Sequence, residues 1–203
     1  MQGRLDSALT DTGRNQANNH GKRLADEGID LMLVSPLGRT LETANLLNSH
    51  VQAPFKEDDR LVERACGDWS GLTLTEAEKR FPSSWQERET DPYHHRPPGG
   101  ENHLDMRERV ESLLESLFML DEQRICLVTH GVMSRVILTY YLGLTPVQAC
   151  SVKHPNHLYY RLQFAAEDIL VHRVEIGEPE KQGLLVSSST GKIVGQGQFG
   201  SEI

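Results

Sequence analysis

The chain has few cysteines and no long apolar run, and both shortages limit what it can be. Its 203 residues include three cysteines, Cys66, Cys126 and Cys150, which lie far apart and form no Cys-x-x-Cys pair. This spacing excludes a disulfide framework. No stretch reaches the roughly 20 apolar residues that a membrane helix needs, and no secretory leader is visible. We expect a protein of the reducing cytoplasm with no membrane partner.

Positive charge is also scarce. Lys and Arg total 21 against 29 Asp and Glu, which gives a formal net charge of −8. Nucleic-acid binding depends on clustered cations that displace counterions from phosphates, so we expect no nucleic-acid partner. What is present, 37% apolar and 25% charged residues without a biased tract, is typical of a globular domain. Nothing in this composition indicates an oligomeric state.

Apolar runs alternate with helical patterns along the chain, which predicts an α/β fold with a mostly parallel sheet. The predicted helices cover about 10–27, 36–50, 75–80, 103–120 and 132–142, and the predicted strands cover 29–34, 54–61, 124–129, 158–163 and 168–174. Prolines and glycines across 82–102 predict a loop that crosses the active face. We expect one domain over 1–176 and a Gly- and Ser-rich tail over 177–203, with a weak hairpin around Thr190-Gly191.

Polar residues stand at two junctions where a strand gives way to a helix. Arg39 follows the strand 29–34 in Ser35-Pro-Leu-Gly-Arg39, and His130-Gly131 follows the strand 124–129. Ligands of open α/β sheets bind at such junctions, near the N–H groups of the helix start. Arg39 adds a fixed cation, His130 a titratable group, and Gly131 allows close backbone approach. Together these groups suit a phosphate. Taken alone, Arg39 could be a solvated residue on an exposed helix face, and His130 could be a turn residue with its hydrogen bonds already made.

Glu63 lies in a glycine-punctuated loop after the strand 54–61. A carboxyl group beside a bound phosphate holds its proton more tightly and can give it to a leaving oxygen near neutral pH. An equally good interpretation is a surface Glu paired with Arg64. His154 and His157 have no nearby carboxylate or Cys to complete a metal site, so we expect neither a metal nor a cofactor.

Several motifs together resemble one family. In chain order they are Gln2-Gly3-x-x-Asp6-x-x-Leu9-Thr10-x-x-Gly13-x-x-Gln16-Ala17, Ser35-Pro-Leu-Gly-Arg39-Thr, Glu63 before Gly67-x-Trp69-x-Gly71, Pro98-Gly-Gly-Glu101 and Thr129-His-Gly131. Through them the chain resembles the histidine phosphatase superfamily, which includes phosphoglycerate mutases and many phosphomonoesterases. The resemblance implies a three-layer αβα sandwich and a phosphohistidine intermediate. It also implies that Arg39 and His130 hold the phosphoryl group, that Glu63 donates a proton, and that Gln2 and Gly3 contact the substrate.

One family motif is missing from the sequence. Members of the family have a first, central strand that ends in Arg-His-Gly, whose His is the nucleophile, and no Arg-His-Gly occurs here. We therefore expect Met1 to be an internal methionine of a longer reading frame. We also expect two neighbouring strands to have unpaired edges, and the chain as given to lack turnover.

The resemblance leaves three functions open. The first is a phosphatase of a small phosphorylated metabolite, active in the full-length parent and favoured by the segment Arg64-Ala-Cys-Gly-Asp-Trp69. The second is phosphoryl transfer of the phosphoglycerate mutase type. The third is a non-catalytic protein that binds a phosphorylated ligand.

Overall fold

The computed structural model describes residues 1–165, 168–187 and 196–197, and its contacts divide the chain into two units, 1–133 and 134–203. The helices are α1 Asp11–Leu24, α2 Gly38–Val51, α3 Leu74–Arg80, α4 Pro82–Thr90, α5 His103–Leu117, α6 Gly131–Leu142 and α7 Pro146–Ser151. The strands are β1 Leu31–Val34, β2 Phe55–Glu57, β3 Ile125–Val128, β4 Leu158–Ala165, β5 Asp168–Glu175, β6 Lys181–Gln182 and β7 Gln196–Gly197.

A parallel sheet of three strands lies in the first unit, in the order β2-β1-β3. All four residues of the central strand β1, Leu-Met-Leu-Val, are buried. The core around the sheet is built from small and medium apolar side chains, namely Met32, Val34, Ala44, Leu47, Ala53 and Val128. The continuous apolar character of β1 is the pattern of a strand covered on both faces, and the predicted α/β fold with a parallel sheet is confirmed.

Two strands, β3 and β4, each have one edge that no other described strand pairs with. β3 is the last strand of the parallel sheet, and β4 is the last strand of the antiparallel sheet of the second unit. Among the described residues no strand pairs with the outer edge of either one. Within the described part of the chain, the outer edge of β3, the strand that precedes His130, therefore has backbone groups that no other strand uses for pairing.

The helix boundaries follow local capping chemistry. Thr10 caps α1, because its side chain accepts a hydrogen bond from the Gly13 N–H. Asn102 forms a capping box with Asp105 at the start of α5. α1 ends at Leu24, and Gly28 adopts a positive φ of 63° in the turn that follows. Side chains that satisfy the free N–H groups of a first turn fix where a helix begins, so these starts were predictable.

The predicted loop over 82–102 is wrong in its first half. Residues Pro82–Thr90 form α4, and the irregular segment begins only at Asp91. Pro82 was interpreted as a loop residue, but it occupies the first turn of the helix, where a missing N–H costs nothing and the fixed φ favours the helix. The predicted strand 54–61 is also shorter, because β2 covers only Phe55–Glu57 and a 3₁₀ turn follows at Asp59–Leu61.

The second unit contains the predicted antiparallel pair. β4 and β5 pair from Leu158 opposite Glu175 to Ala165 opposite Asp168. β6, within the segment predicted as a tail, pairs with β5. The short helix α7 was not predicted, and the hairpin predicted around Thr190-Gly191 lies outside the described residues. None of the described helices combines the length and the apolar character needed to cross a membrane.

Candidate active site

Ser35 and His130 meet at the carboxyl ends of two adjacent strands. Ser35 directly follows β1, and His130 comes two residues after the end of β3. Because the two strands are parallel neighbours in register, these side chains emerge at the same edge of the sheet. The Ser35 Oγ lies 2.8 Å from the His130 Nε2, and both residues are buried.

The ring of His130 is neutral near pH 7. Burial, and to a lesser extent the positive charges of Arg39 and Arg109, lower its pKa to about 3, against a smaller opposing effect of Asp6. Arg39 therefore lies close enough to His130 to act on it electrostatically. The fixed cation is Arg39, and His130 is a neutral hydrogen-bonding group.

Arg39 is held by the N-terminal segment. Its side chain is 14% exposed. Its Nη1 donates to the Leu5 carbonyl at 2.6 Å, and its Nη2 donates to the Gly3 carbonyl at 2.9 Å. The guanidinium is therefore not a solvated group on an outer helix face, which was the alternative interpretation. Its position is fixed by carbonyl oxygens, which leaves Nε and further N–H groups for another acceptor.

Asp6 occupies the start of α2, where the sequence predicted a phosphate. Its Oδ1 accepts a hydrogen bond from the Arg39 backbone N–H at 3.1 Å and lies 3.5 Å from the Arg39 Nη1. The Arg39 N–H is the main cause of the lowered pKa of Asp6, and the Arg39 guanidinium adds to it. Gly38 lacks a Cβ at the point where the Asp6 carboxylate passes, and a Cβ there would overlap it. The helix start thus binds a carboxylate of the protein itself.

Glu63 occupies the start of α6 in the same way. Its carboxylate accepts hydrogen bonds from the N–H groups of Val132 and Met133, each at 3.3 Å, and from the N–H of Arg64 at 2.8 Å. The structure therefore brings Glu63 beside His130, which directly precedes this helix. Its contact with Arg64 is through the backbone N–H rather than through the guanidinium, so the alternative of a surface ion pair is wrong.

The loop that carries Glu63 is held by a partly buried ion pair that the sequence did not reveal. Arg109 of α5 donates to the carbonyl oxygens of Arg60 and Val62, each at 2.8 Å, and pairs with Glu101 at 3.1 Å. Glu101 in turn accepts the Ala65 N–H at 2.7 Å. Glu101 was visible only as part of a motif, and no pattern in the sequence singled out Arg109.

The three remaining predicted residues are placed as follows. Gly3 has a positive φ of 57° and packs against Cys66, and its carbonyl meets Arg39. Gln2 directs its side-chain amide to the Ser7 hydroxyl at 2.8 Å. Gly131 begins α6, and a Cβ added there would meet nothing within 4 Å. There is consequently open space beside Gly131 for a ligand.

No group of three or more His, Cys, Asp or Glu residues is placed to hold a metal ion in the described part of the chain. His154 binds the Ser134 hydroxyl and the Leu158 carbonyl instead.

The profile of the histidine phosphatase superfamily (branch 1) matches residues 1–177. The chain belongs to this superfamily. The probable phosphoglycerate mutase GpmB of Erwinia tasmaniensis is 32% identical over 169 residues, 77% of either chain. The 6-phosphofructo-2-kinase 1 of Saccharomyces cerevisiae is 30% identical over 127 residues, which are 62% of this chain but 15% of that protein.

A solved structure of a histidine phosphatase relative shares the fold. The complex of a mycobacterial glucosyl-3-phosphoglycerate phosphatase with inorganic phosphate superimposes with a TM-score of 0.73 and 26% sequence identity, covering 80% of this chain and 83% of that one. The relatives named here include a phosphatase and a probable phosphoglycerate mutase.

Proposed function

We propose that the protein is a phosphatase of a small phosphorylated metabolite and that its site is formed by Arg39, His130 and Glu63. The observation that carries the proposal is their convergence at one edge of the parallel sheet. Arg39 lowers the pKa of His130 through space, and Glu63 binds the first turn of the helix that follows His130. The mycobacterial relative that shares the fold has inorganic phosphate bound.

The three residues have complementary roles in this proposal. Arg39 supplies the fixed positive charge for the phosphoryl oxygens, and its held position lowers the cost of orienting it. His130 donates a hydrogen bond to the same group. Glu63 gives a proton to the leaving oxygen. Gly3 lies against Arg39, which supports a substrate contact of the segment Gln2-Gly3, and the open space beside Gly131 leaves room for the ligand.

Turnover through a phosphohistidine needs a nucleophilic histidine, and the sequence contains no Arg-His-Gly. We propose that a strand with this ending, placed ahead of Gln2, completes the enzyme, and that residues 1–176 form the phosphatase domain. The unpaired outer edge of β3 is a place where such a strand could form parallel pairs. The chain as given then binds phosphate without hydrolysing esters, because a covalent mechanism without its nucleophile loses about a millionfold in turnover.

Calorimetric titration with inorganic phosphate tests the binding half of the proposal. The chain as given is expected to bind phosphate, and Arg39→Ala is expected to weaken the binding at least about tenfold by removing the charged donor. Arg107→Ala serves as the matched control, since Arg107 lies exposed on α5 and pairs only with Glu111 among the described residues. The proposal fails if the two variants bind phosphate alike.

Hydrolysis of p-nitrophenyl phosphate tests the catalytic half. A form of the chain preceded by a strand ending in Arg-His-Gly is expected to release phosphate, and the same form with that His changed to Ala is expected to be inactive. If both forms are inactive while phosphate still binds, the protein is the non-catalytic binder that the missing motif also permits.

A second catalytic function is phosphoryl transfer of the phosphoglycerate mutase type. The 32% identity to the probable phosphoglycerate mutase of Erwinia tasmaniensis over 77% of that protein favours it. The two activities differ in their product. A phosphatase releases inorganic phosphate from a phosphoglycerate, whereas a mutase interconverts the 2- and 3-phosphate esters with little release.

A further inference from the structure

The buried hydrogen bond between Ser35 and His130 has a consequence beyond packing. We propose that Ser35 is a positioning residue, because its hydroxyl donates to the His130 Nε2, fixes the ring proton on Nδ1 and so makes Nδ1–H the donor to the bound oxyanion. The last step rests on the proposed function. The first two steps concern the protein alone.

The direction of this hydrogen bond follows from what else the Ser35 hydroxyl can reach. Ser35 is 0% exposed, and the His130 Nε2 at 2.8 Å is the partner of its Oγ among the described residues. Thr40 bonds the carbonyl of Ser35 and leaves the hydroxyl alone. If Nε2 carried the ring proton, the hydroxyl hydrogen would be buried without an acceptor, which is unfavourable. The hydroxyl therefore donates, and Nε2 accepts.

The remaining ring nitrogen then has a defined role. Burial, together with the positive charges of Arg39 and Arg109, keeps the ring neutral near pH 7. A neutral imidazole carries one N–H, and the bond made by one nitrogen decides which nitrogen carries it. No described residue forms a hydrogen bond with the His130 Nδ1. The Nδ1–H is thus a donor that no described residue uses, and the positive charges of Arg39 and Arg109 near the ring favour an anion as its acceptor.

Long-range proton–nitrogen NMR on the chain labelled with ¹⁵N-histidine tests the ring tautomer directly, without phosphate. The His130 signals are identified among those of the nine histidines by their loss in His130→Gln. We expect the Nδ1–H form in the unsubstituted chain. Ser35→Ala is expected to lose this preference, because Nε2 no longer has a donor. Thr40→Val removes a neighbouring buried hydroxyl and is expected to keep the Nδ1–H form.

Two NMR results would overturn the assignment of Ser35. One is an Nε2–H ring in the unsubstituted chain, which needs no variant to fold. The other is an unchanged Nδ1–H ring in Ser35→Ala when thermal unfolding shows that the variant is folded.

A phosphate titration followed on the same signals separates this inference from the proposed function. Phosphate is expected to shift the His130 Nδ1 resonance, and Ser35→Ala is expected to raise the Kd for phosphate about fivefold relative to Thr40→Val. An Nδ1–H ring that does not respond to phosphate overturns the proposed function and the oxyanion step, while the role of Ser35 in fixing the tautomer stands. Equal Kd values for the two variants overturn the oxyanion step alone.

Discussion

The carboxylate of Asp6 lies directly over Gly38, in the space that a side chain at residue 38 would fill. From there it binds the backbone N–H of Arg39 and stands beside the guanidinium of the same residue. The protein therefore places its own anion next to the cation that we assign to the substrate phosphate.

Asp6→Asn is expected to tighten phosphate binding about threefold, because it removes a negative charge beside Arg39 while an amide oxygen can still accept the helix N–H. Calorimetric titration of the variant against inorganic phosphate measures the change. The repulsion between Asp6 and phosphate is screened by salt, so the gain is expected to shrink as the ionic strength is raised. Weaker binding by the variant would show instead that Asp6 chiefly orients Arg39.

Gly38→Ala is expected to destabilise the chain by about 2 kcal/mol, because the new Cβ overlaps the Asp6 carboxylate. Alanine is otherwise the better helix residue by about 1 kcal/mol. In an Asp6→Ala background the same substitution is therefore expected to be neutral or stabilising. Urea unfolding of the four proteins of this double-mutant cycle gives the coupling free energy, and a coupling near zero would contradict the contact.

Glu63→Ala is expected to cost about 1–2 kcal/mol in the free energy of unfolding, because the first turn of α6 and the Arg64 N–H lose their acceptor. Glu78→Ala, at an exposed position of α3, is the matched control and is expected to change stability little. Thermal or urea unfolding of both variants provides the comparison. Similar losses in the two variants would mean that Glu63 does not hold the helix start.

Acid is expected to destabilise the protein through His130. The pKa of His130 falls from its ordinary value of 6.5 to about 3 on folding, so the unfolded chain binds a proton that the folded protein does not. The stability that the neutral ring contributes is complete above pH 6.5 and decreases as the pH falls toward 3, by about 1.4 kcal/mol for each pH unit. His130→Gln lacks this dependence.

Urea unfolding of the unsubstituted chain and of His130→Gln at several pH values isolates the contribution of His130, because the carboxylates titrate in both proteins. The difference between the two free energies of unfolding is expected to change steadily between about pH 6.5 and about pH 4. If the free energies of unfolding of the two proteins change with pH in parallel, His130 binds its proton equally well in the folded protein and in the unfolded chain.

Local patterns in the sequence were sufficient for much of the fold. The apolar run over 29–34 predicted the strand that contains β1, and the helix predicted over about 10–27 contains α1. The parallel register of β1 and β3 then places Ser35 and His130 at one edge of the sheet. Pro82 was misinterpreted because the same residue type suits a loop and the first turn of a helix.

Other parts of the site depend on contacts between distant residues, which no local pattern reveals. Arg109 reaches carbonyl groups almost fifty positions earlier in the chain, and Asp6 reaches the start of a helix that begins more than thirty positions later. The sequence therefore indicated which strand–helix junctions matter. It could not show that the protein's own carboxylates already bind the N–H groups there.

The carboxylates of Asp6 and Glu63 also bear on how a product would leave. Each carboxylate neutralises the positive end of a helix dipole. Neither helix therefore contributes much binding free energy to an inorganic phosphate at this edge of the sheet. Phosphate binding then depends on side-chain donors such as Arg39, and the carboxylate of Asp6 lies beside the Arg39 guanidinium. Under the proposed function, a phosphate ion bound in this way is expected to dissociate readily, and its release is then not expected to limit the rate of turnover.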